Sequence, residues 1–110
     1  MLHEKLICYQ QSVGMAEQLG KEIARWPRGY GYLADQVKRA MASVVLNLAE
    51  GNARRGINER RCFFRIARAS LVEVAAGIDL TRAYFLISSQ DVDELKEKLH
   101  QISKMIYRLR

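Results

Sequence analysis

Polar side chains in the middle of the sequence recur at a spacing that places them on one side of a helix. The first three members are separated by four and then three residues, and a second pair follows further along the chain. The set comprises Ser43, Asn47, Glu50, Ser70 and Glu73. Hydroxyl, amide and carboxylate groups so arranged either form a hydrogen-bonded network or, beside a suitable base, perform nucleophilic or acid–base chemistry.

A catalytic interpretation lacks the partners that the chemistry needs. Glu50 has no second carboxylate at an obvious working distance and no histidine base, and no serine of the set is paired with a base. We therefore interpret the five residues as a structural polar network that fixes helix register, and we expect no enzymatic activity. The enzymatic alternative predicts that Glu50→Gln abolishes a turnover without unfolding the protein.

Metal binding and membrane insertion have no support in the sequence. Cys8 and Cys62 lie far apart without a CxxC motif, and the two histidines are isolated, so we expect no metal and no cofactor. In a reducing compartment both cysteines are expected to be buried thiols. The N-terminus lacks a signal-peptide pattern and no uncharged apolar run could cross a bilayer, which predicts a cytoplasmic protein without membrane contact.

Positive charge is concentrated in one part of the chain. The formal net charge is +6, and the segment 38–68 alone holds eight basic and two acidic residues. The remaining sequence holds ten of each and is neutral. Arginine binds phosphate through two donors, so a local excess favours a polyphosphate partner such as nucleic acid. The alternative is that these arginines only keep the helices soluble.

Apolar spacing predicts four helices that must position these groups. They cover about residues 2–26, 33–50, 58–88 and from 89–91 onward. Pro27 ends the first helix, and Gly51 is expected to close the second in the left-handed conformation. Asn58 is the predicted N-cap of the third helix, and Asp91 with Glu94 resembles a capping box for the fourth.

Each predicted helix carries an apolar stripe that indicates its buried face. The first stripe comprises Leu2, Leu6, Tyr9, Val13, Ala16, Ile23 and Trp26. The second comprises Val37, Met41, Val44 and Leu48, and the third Phe64, Ala67, Leu71, Val74, Ile78 and Phe85. The fourth comprises Val92, Leu95, Leu99, Ile102, Ile106 and Leu109. Because the turns are short, residues 1–110 are predicted to form one all-α domain, an antiparallel up-down-up-down four-helix bundle.

In such a bundle the turn at residues 52–57 shares one end with both chain termini. That end collects the candidate nucleic-acid-binding residues, which are Arg54, Arg55, Arg60, Arg61, Arg65, Arg108 and Arg110. The sequence contains no zinc finger, no RNP-type aromatic signature and no short helix-turn-helix, so binding is expected to depend on phosphates and shape.

The two middle helices are too apolar on their outer sides for an isolated bundle. Apolar residues outside the main stripes are Val45, Leu46, Phe63, Ile66, Val72, Leu80, Tyr84, Leu86 and Ile87. A helix that is apolar on most sides needs burial on most sides. The pattern therefore predicts a homo-oligomer.

The segment from Leu33 to Gly51 resembles the signature of the four-helix proteins encoded within intervening sequences of bacterial 23S rRNA genes. It fits a pattern close to L..Q..RA..S...N.AEG, which is followed by an arginine, here Arg54 or Arg55. Trp26-Pro27 before this segment and Ser70 with Glu73 after it fit the same family, although the family usually has glycine at the position of Ala69.

The resemblance implies a left-handed four-helix bundle that assembles as a ring, often a pentamer, with no known catalytic activity. It also implies nucleic-acid binding, with RNA expected rather than DNA. A related branch comprises accessory proteins of diversity-generating retroelements, which bind a reverse transcriptase. Two hypotheses follow: a nucleic-acid-binding accessory protein, or a protein-interaction module that docks a nucleic-acid enzyme such as a reverse transcriptase.

Overall fold

Four α-helices account for most of residues 2–109, the part of the chain that the computed structural model describes. The helices are α1 (Leu2–Ile23), α2 (Gly31–Ala53), α3 (Ile57–Ala83) and α4 (Ser89–Arg108). The molecule measures 44 × 23 × 18 Å along its principal axes, so the helices run along one long axis. None of the described helices is long and apolar enough to cross a membrane.

Each helix packs on its neighbour in sequence, and α1 closes the bundle against α4. Two ion pairs fix the direction of α3 against α4: Asp79 contacts Lys96 at 2.7 Å, and Arg82 contacts Asp93 at 3.6 Å. Residue numbers rise along α3 as they fall along α4, so these helices are antiparallel. The predicted antiparallel four-helix bundle is confirmed, whereas its assembly into a ring stays a prediction.

The core is built from the stripes that the sequence predicts for α2 and α4, whose members are all buried. The stripe of α3 is also buried from Phe64 to Ile78. Phe85 is the exception, because its side chain is 93% exposed. Helix α3 ends at Ala83 rather than near Ser88, and Phe85 has a φ of 61°, in the left-handed region.

A Schellman motif explains this early end of α3. The backbone N–H of Leu86 donates to the carbonyl of Thr81, and that of Phe85 donates to the carbonyl of Arg82. The left-handed residue turns Phe85 out of the core and directs Ile87, which is 7% exposed, into it. No glycine or proline stands near residues 83–88 to mark the helix end, so a prediction from apolar spacing alone made α3 too long.

The buried face of α1 differs from the predicted stripe. Leu6 and Val13 are exposed, and the buried face runs through Cys8, Ser12, Met15, Leu19 and Ile23. The side chain of Leu2 lies outside the described part. The Ser12 hydroxyl donates to the Cys8 carbonyl at 2.9 Å, so a serine is satisfied in the core without a partner from another helix.

The cysteine prediction holds for one residue and is wrong for the other. Cys8 is fully buried, and its burial raises the pKa of the thiol to about 11. Cys62 is exposed on α3 and is therefore not part of the core. Neither cysteine forms a disulfide.

The predicted helix starts are also corrected. Helix α3 begins at Ile57, with Gly56 in an extended conformation as its N-cap, so Asn58 is not the cap. Ser88 is the N-cap of α4, and its hydroxyl accepts a hydrogen bond from the Asp91 backbone N–H at 3.2 Å. Asp91 is therefore the third helical residue rather than the cap.

Gly51 does not end α2, because the helix continues to Ala53. Gly51 is buried, and a Cβ at this position would lie 2.8 Å from Cδ1 of Phe64 on α3. Gly77 on α3 has the same relation to α2, where a Cβ would lie 2.6 Å from Cγ2 of Val37. The two glycines thus permit close approach of α2 and α3, the pair that carries the polar network and most of the candidate arginines.

Candidate nucleic-acid interface

The polar network of α2 and α3 is smaller than the sequence suggests. The hydroxyls of Ser43 and Ser70 lie 2.7 Å apart and join the two helices. The Asn47 amide donates to the Ser43 carbonyl at 2.8 Å and to its hydroxyl at 3.1 Å. Residue spacing counted back from the turn at residues 52–57 places Ser43 near Arg65, whereas its partner Ser70 lies about one and a half turns further along α3. Each of the three side chains makes at least one hydrogen bond within this small cluster, as expected of a structural contact.

The two carboxylates of the predicted set do not join this network. Glu50 forms an ion pair with Arg54 at 2.8 Å, as its position one helical turn earlier predicts. Glu73 is exposed, and no contact within residues 2–109 links it to Ser43 or Ser70. Among the described residues, no group of three or more histidine, cysteine or carboxylate side chains could hold a metal ion.

The arginine-rich end is formed by the connection between α2 and α3 together with the last turn of α4. Residues 54–56 link the two middle helices, and α4 runs antiparallel to α3, so Arg108 reaches the same end. We call this region the basic end. Its members within the described chain are Arg54, Arg55, Arg60, Arg61, Arg65 and Arg108. Arg110 lies outside the described residues.

Two of these arginines stabilise the corner between α2 and α3. Arg54 contacts Glu50 at 2.8 Å and Glu59 at 3.9 Å, and its guanidinium lies 5.1 Å from the ring centroid of Phe63. Arg60 donates to the backbone carbonyls of Arg54 and Arg55. Carbonyls at the end of a helix lack helical partners, so Arg60 satisfies groups that the connection exposes. These two guanidinium groups are therefore less available to an external phosphate.

Other arginines of this end have no carboxylate partner within the described chain. Arg61 and Arg65 are exposed, and no ion pair involving either is present among residues 2–109. Arg68 follows three residues after Arg65, so the three lie on the same side of α3. Like charges at this spacing destabilise a helix by a few tenths of a kcal/mol per pair. An arginine row that is not neutralised by the fold is a natural contact for an anionic ligand.

Arg68 and Tyr107 are site residues that the sequence did not identify as such. The Arg68 guanidinium lies 4.7 Å from the ring centroid of Tyr107, which joins α3 to α4 near the basic end. Tyr107 directly follows the buried Ile106 and is itself 73% exposed. The position of Tyr107 beside the arginine row depends on the register of α3 against α4. The ion pairs Asp79–Lys96 and Arg82–Asp93 show this register, whereas the sequence alone does not.

The opposite end of the bundle carries a balanced set of charges. Arg25 pairs with Glu22, and Arg82 pairs with Asp93. Asp91 and the neighbouring acids at the start of α4 add negative charge there. The two ends of the molecule therefore differ in electrostatic character.

A comparison with known protein families matches residues 4–108 to the family described as 23S rRNA-intervening sequence protein. The match covers nearly the whole chain. The chain belongs to this family. Membership confirms the resemblance seen at residues 33–51 and extends it from α1 to the end of α4. The family description names an association with intervening sequences of 23S rRNA and assigns no activity. A search of curated proteins finds no match to the chain.

Proposed function

We propose that this protein is a non-catalytic accessory protein that binds nucleic acid, RNA rather than DNA, through its basic end. The observation that carries the proposal is the row of Arg61, Arg65 and Arg68, which no carboxylate of the described chain neutralises. Guanidinium groups bind phosphate oxygens through paired donors. The preference for RNA rests on membership in a family associated with 23S rRNA intervening sequences.

Binding of this kind is dominated by the phosphate backbone. Contacts to phosphate fix the position of a protein on nucleic acid but carry no sequence information directly. Each neutralised phosphate releases counterions, so affinity falls as salt rises, with a slope of about −0.7 per contact on a single strand. The protein should therefore bind many RNA sequences with similar affinity and strong salt dependence.

Self-association is part of the proposal. The outer sides of α2 and α3 expose large apolar side chains, including Leu46 at 63% and Val72 at 68%. Ile66 and Leu80 are each more than two-fifths exposed on the same two-helix layer. Apolar surface of this extent favours burial against other copies of the chain. A ring, in which each copy contributes one basic end, would give RNA several contact points.

Labelled RNA and paired charge variants test the proposal. In fluorescence anisotropy, the double variant Arg61→Ala/Arg65→Ala should bind a single-stranded RNA more weakly and reduce the salt slope by about 0.7 for each lost contact. The matched control, Arg25→Ala/Arg28→Ala, removes two charges from the opposite end and should bind like the wild type. Equal losses in the two variants would show that net charge, not the basic end, governs binding.

A protein-docking role is the outcome that replaces the proposal if binding is absent. In that case the wild type would show no RNA affinity at physiological salt. Retention of a nucleic-acid enzyme by the wild type, and not by Arg61→Ala/Arg65→Ala, would then assign the same surface to a protein partner.

A further inference from the structure

A groove of about 240 Å³ lies between α3 and α4 beside the basic end. Its charged side is formed by the arginine row, and its floor is apolar because Phe64 and Ile106 are almost fully buried. The lining residues that matter here are Arg61, Arg65, Arg68, Phe64, Ile106 and Tyr107. None of the residues that line the groove is acidic.

The Tyr107 ring lies at the wall of this groove, against the Arg68 guanidinium. The Arg68 guanidinium lies over the ring at 4.7 Å from its centroid, and the ring remains 73% exposed. A cation–π contact at an exposed site contributes about 0.5–1 kcal/mol, which favours this position of the ring. Because the side chain adds little to the core, its ring is available to stack with another planar group.

The size and the chemistry of the groove favour a piece of a polymer over a free small molecule. Pockets for drug-sized ligands measure about 300–1000 Å³ and enclose most of the ligand. This groove is smaller and is open to solvent. It combines cationic groups for a phosphate backbone with an aromatic face, the two components of single-strand recognition.

We propose that the groove binds one unpaired nucleotide of a single strand, with its phosphates on Arg61 and Arg65 and its base stacked on the open face of Tyr107. The inference rests on the proposed function and adds that the protein prefers single-stranded to duplex RNA. In a duplex the bases are stacked on one another and cannot reach Tyr107, whereas the phosphates still reach the arginines.

The test compares single-stranded and duplex RNA of the same sequence, with 2-aminopurine as a fluorescent base in the single strand. Tyr107→Leu keeps apolar volume but removes the aromatic face. It should weaken single-strand binding by roughly 5- to 10-fold, at the low end of the range for base stacking. Binding to the wild type should quench the fluorescence of 2-aminopurine, because the base stacks on Tyr107. The Tyr107→Leu variant should lose this quenching and should bind the duplex with unchanged affinity. Tyr107→Phe keeps the ring and should behave as the wild type in all three measurements.

Each other outcome identifies which idea is wrong. If Tyr107→Leu binds and quenches the single strand as the wild type does, the stacking role is overturned. The proposed function then stands only if Arg61→Ala/Arg65→Ala still lowers affinity. Equal weakening of single-strand and duplex binding by Tyr107→Leu would also overturn stacking, since it indicates a backbone contact. A wild type that binds neither RNA overturns both proposals.

Discussion

Replacing Gly51 with alanine adds one methyl group where α2 and α3 approach each other. The new Cβ would lie 2.8 Å from Cδ1 and 3.1 Å from Cζ of Phe64, closer than ordinary van der Waals contact. Phe64 is 4% exposed, so most of its ring is enclosed by close-packed neighbours that must move if the ring moves. The helices must therefore separate, or the core around Phe64 must shift.

The expected magnitude is a difference of two terms. Overpacking a well-filled core typically costs about 1–3 kcal/mol. Alanine is a better helix former than glycine by about 0.5–1 kcal/mol, which offsets part of this cost. We expect a net loss of about 1 kcal/mol in the free energy of unfolding, or roughly 4 °C in Tm for a domain of this size.

Urea unfolding followed by circular dichroism measures this loss, with Gly14→Ala as the matched control. Gly14 also lies inside a helix, but a Cβ there meets no atom within 4 Å. The control should gain about 0.5–1 kcal/mol from helix propensity alone. If Gly51→Ala is as stable as Gly14→Ala, the close contact of α2 with Phe64 is not a feature of the folded protein.

Two further outcomes follow from the positions of Phe85 and the cysteines. Phe85→Gly should stabilise the protein by about 0.5–1 kcal/mol in the same urea assay, because glycine adopts the left-handed conformation without strain and the exposed ring adds no packing; a loss of stability would contradict the Schellman end of α3. With an aromatic disulfide reagent at neutral pH, Cys62 should react quickly, while the buried Cys8, whose pKa is raised to about 11, should react only on unfolding. Fast reaction of the variant Cys62→Ser would show that Cys8 is accessible.

The sequence predicts those parts of the fold that depend on regular apolar spacing. The stripes of α2 and α4 are unbroken, and every residue assigned to them is buried. Helix α2 also buries Leu33, Ala40 and Gly51, which its predicted stripe did not include. Helix α1 carries two adjacent candidate faces, and the buried one includes Cys8 and Ser12. A serine that bonds to its own helix looks polar in the sequence and is buried in the fold. The predicted stripe was therefore only partly right, because Leu6 and Val13 are exposed whereas Ile23 is buried and Tyr9, Ala16 and Trp26 pack against the core.

Features that depend on how two helices are aligned could not be predicted from the sequence. A single sequence does not show whether Gly51 ends a helix or allows two helices to come close together, because glycine suits both positions. The pairing of Glu50 with Arg54 is local, because the two residues lie one helical turn apart. The contact of Arg68 with Tyr107 joins residues on different helices, and its prediction would need the register of α3 against α4.

An NMR titration of the isotope-labelled protein with a short single-stranded RNA locates the binding surface most directly. Backbone amide and arginine side-chain signals of residues 55–68 and 104–109 should shift as RNA is added. Signals from residues 21–30 and 88–94, at the other end of the bundle, should stay in place. Shifts confined to that second set, or no shifts at a saturating RNA concentration, would contradict nucleic-acid binding at the basic end.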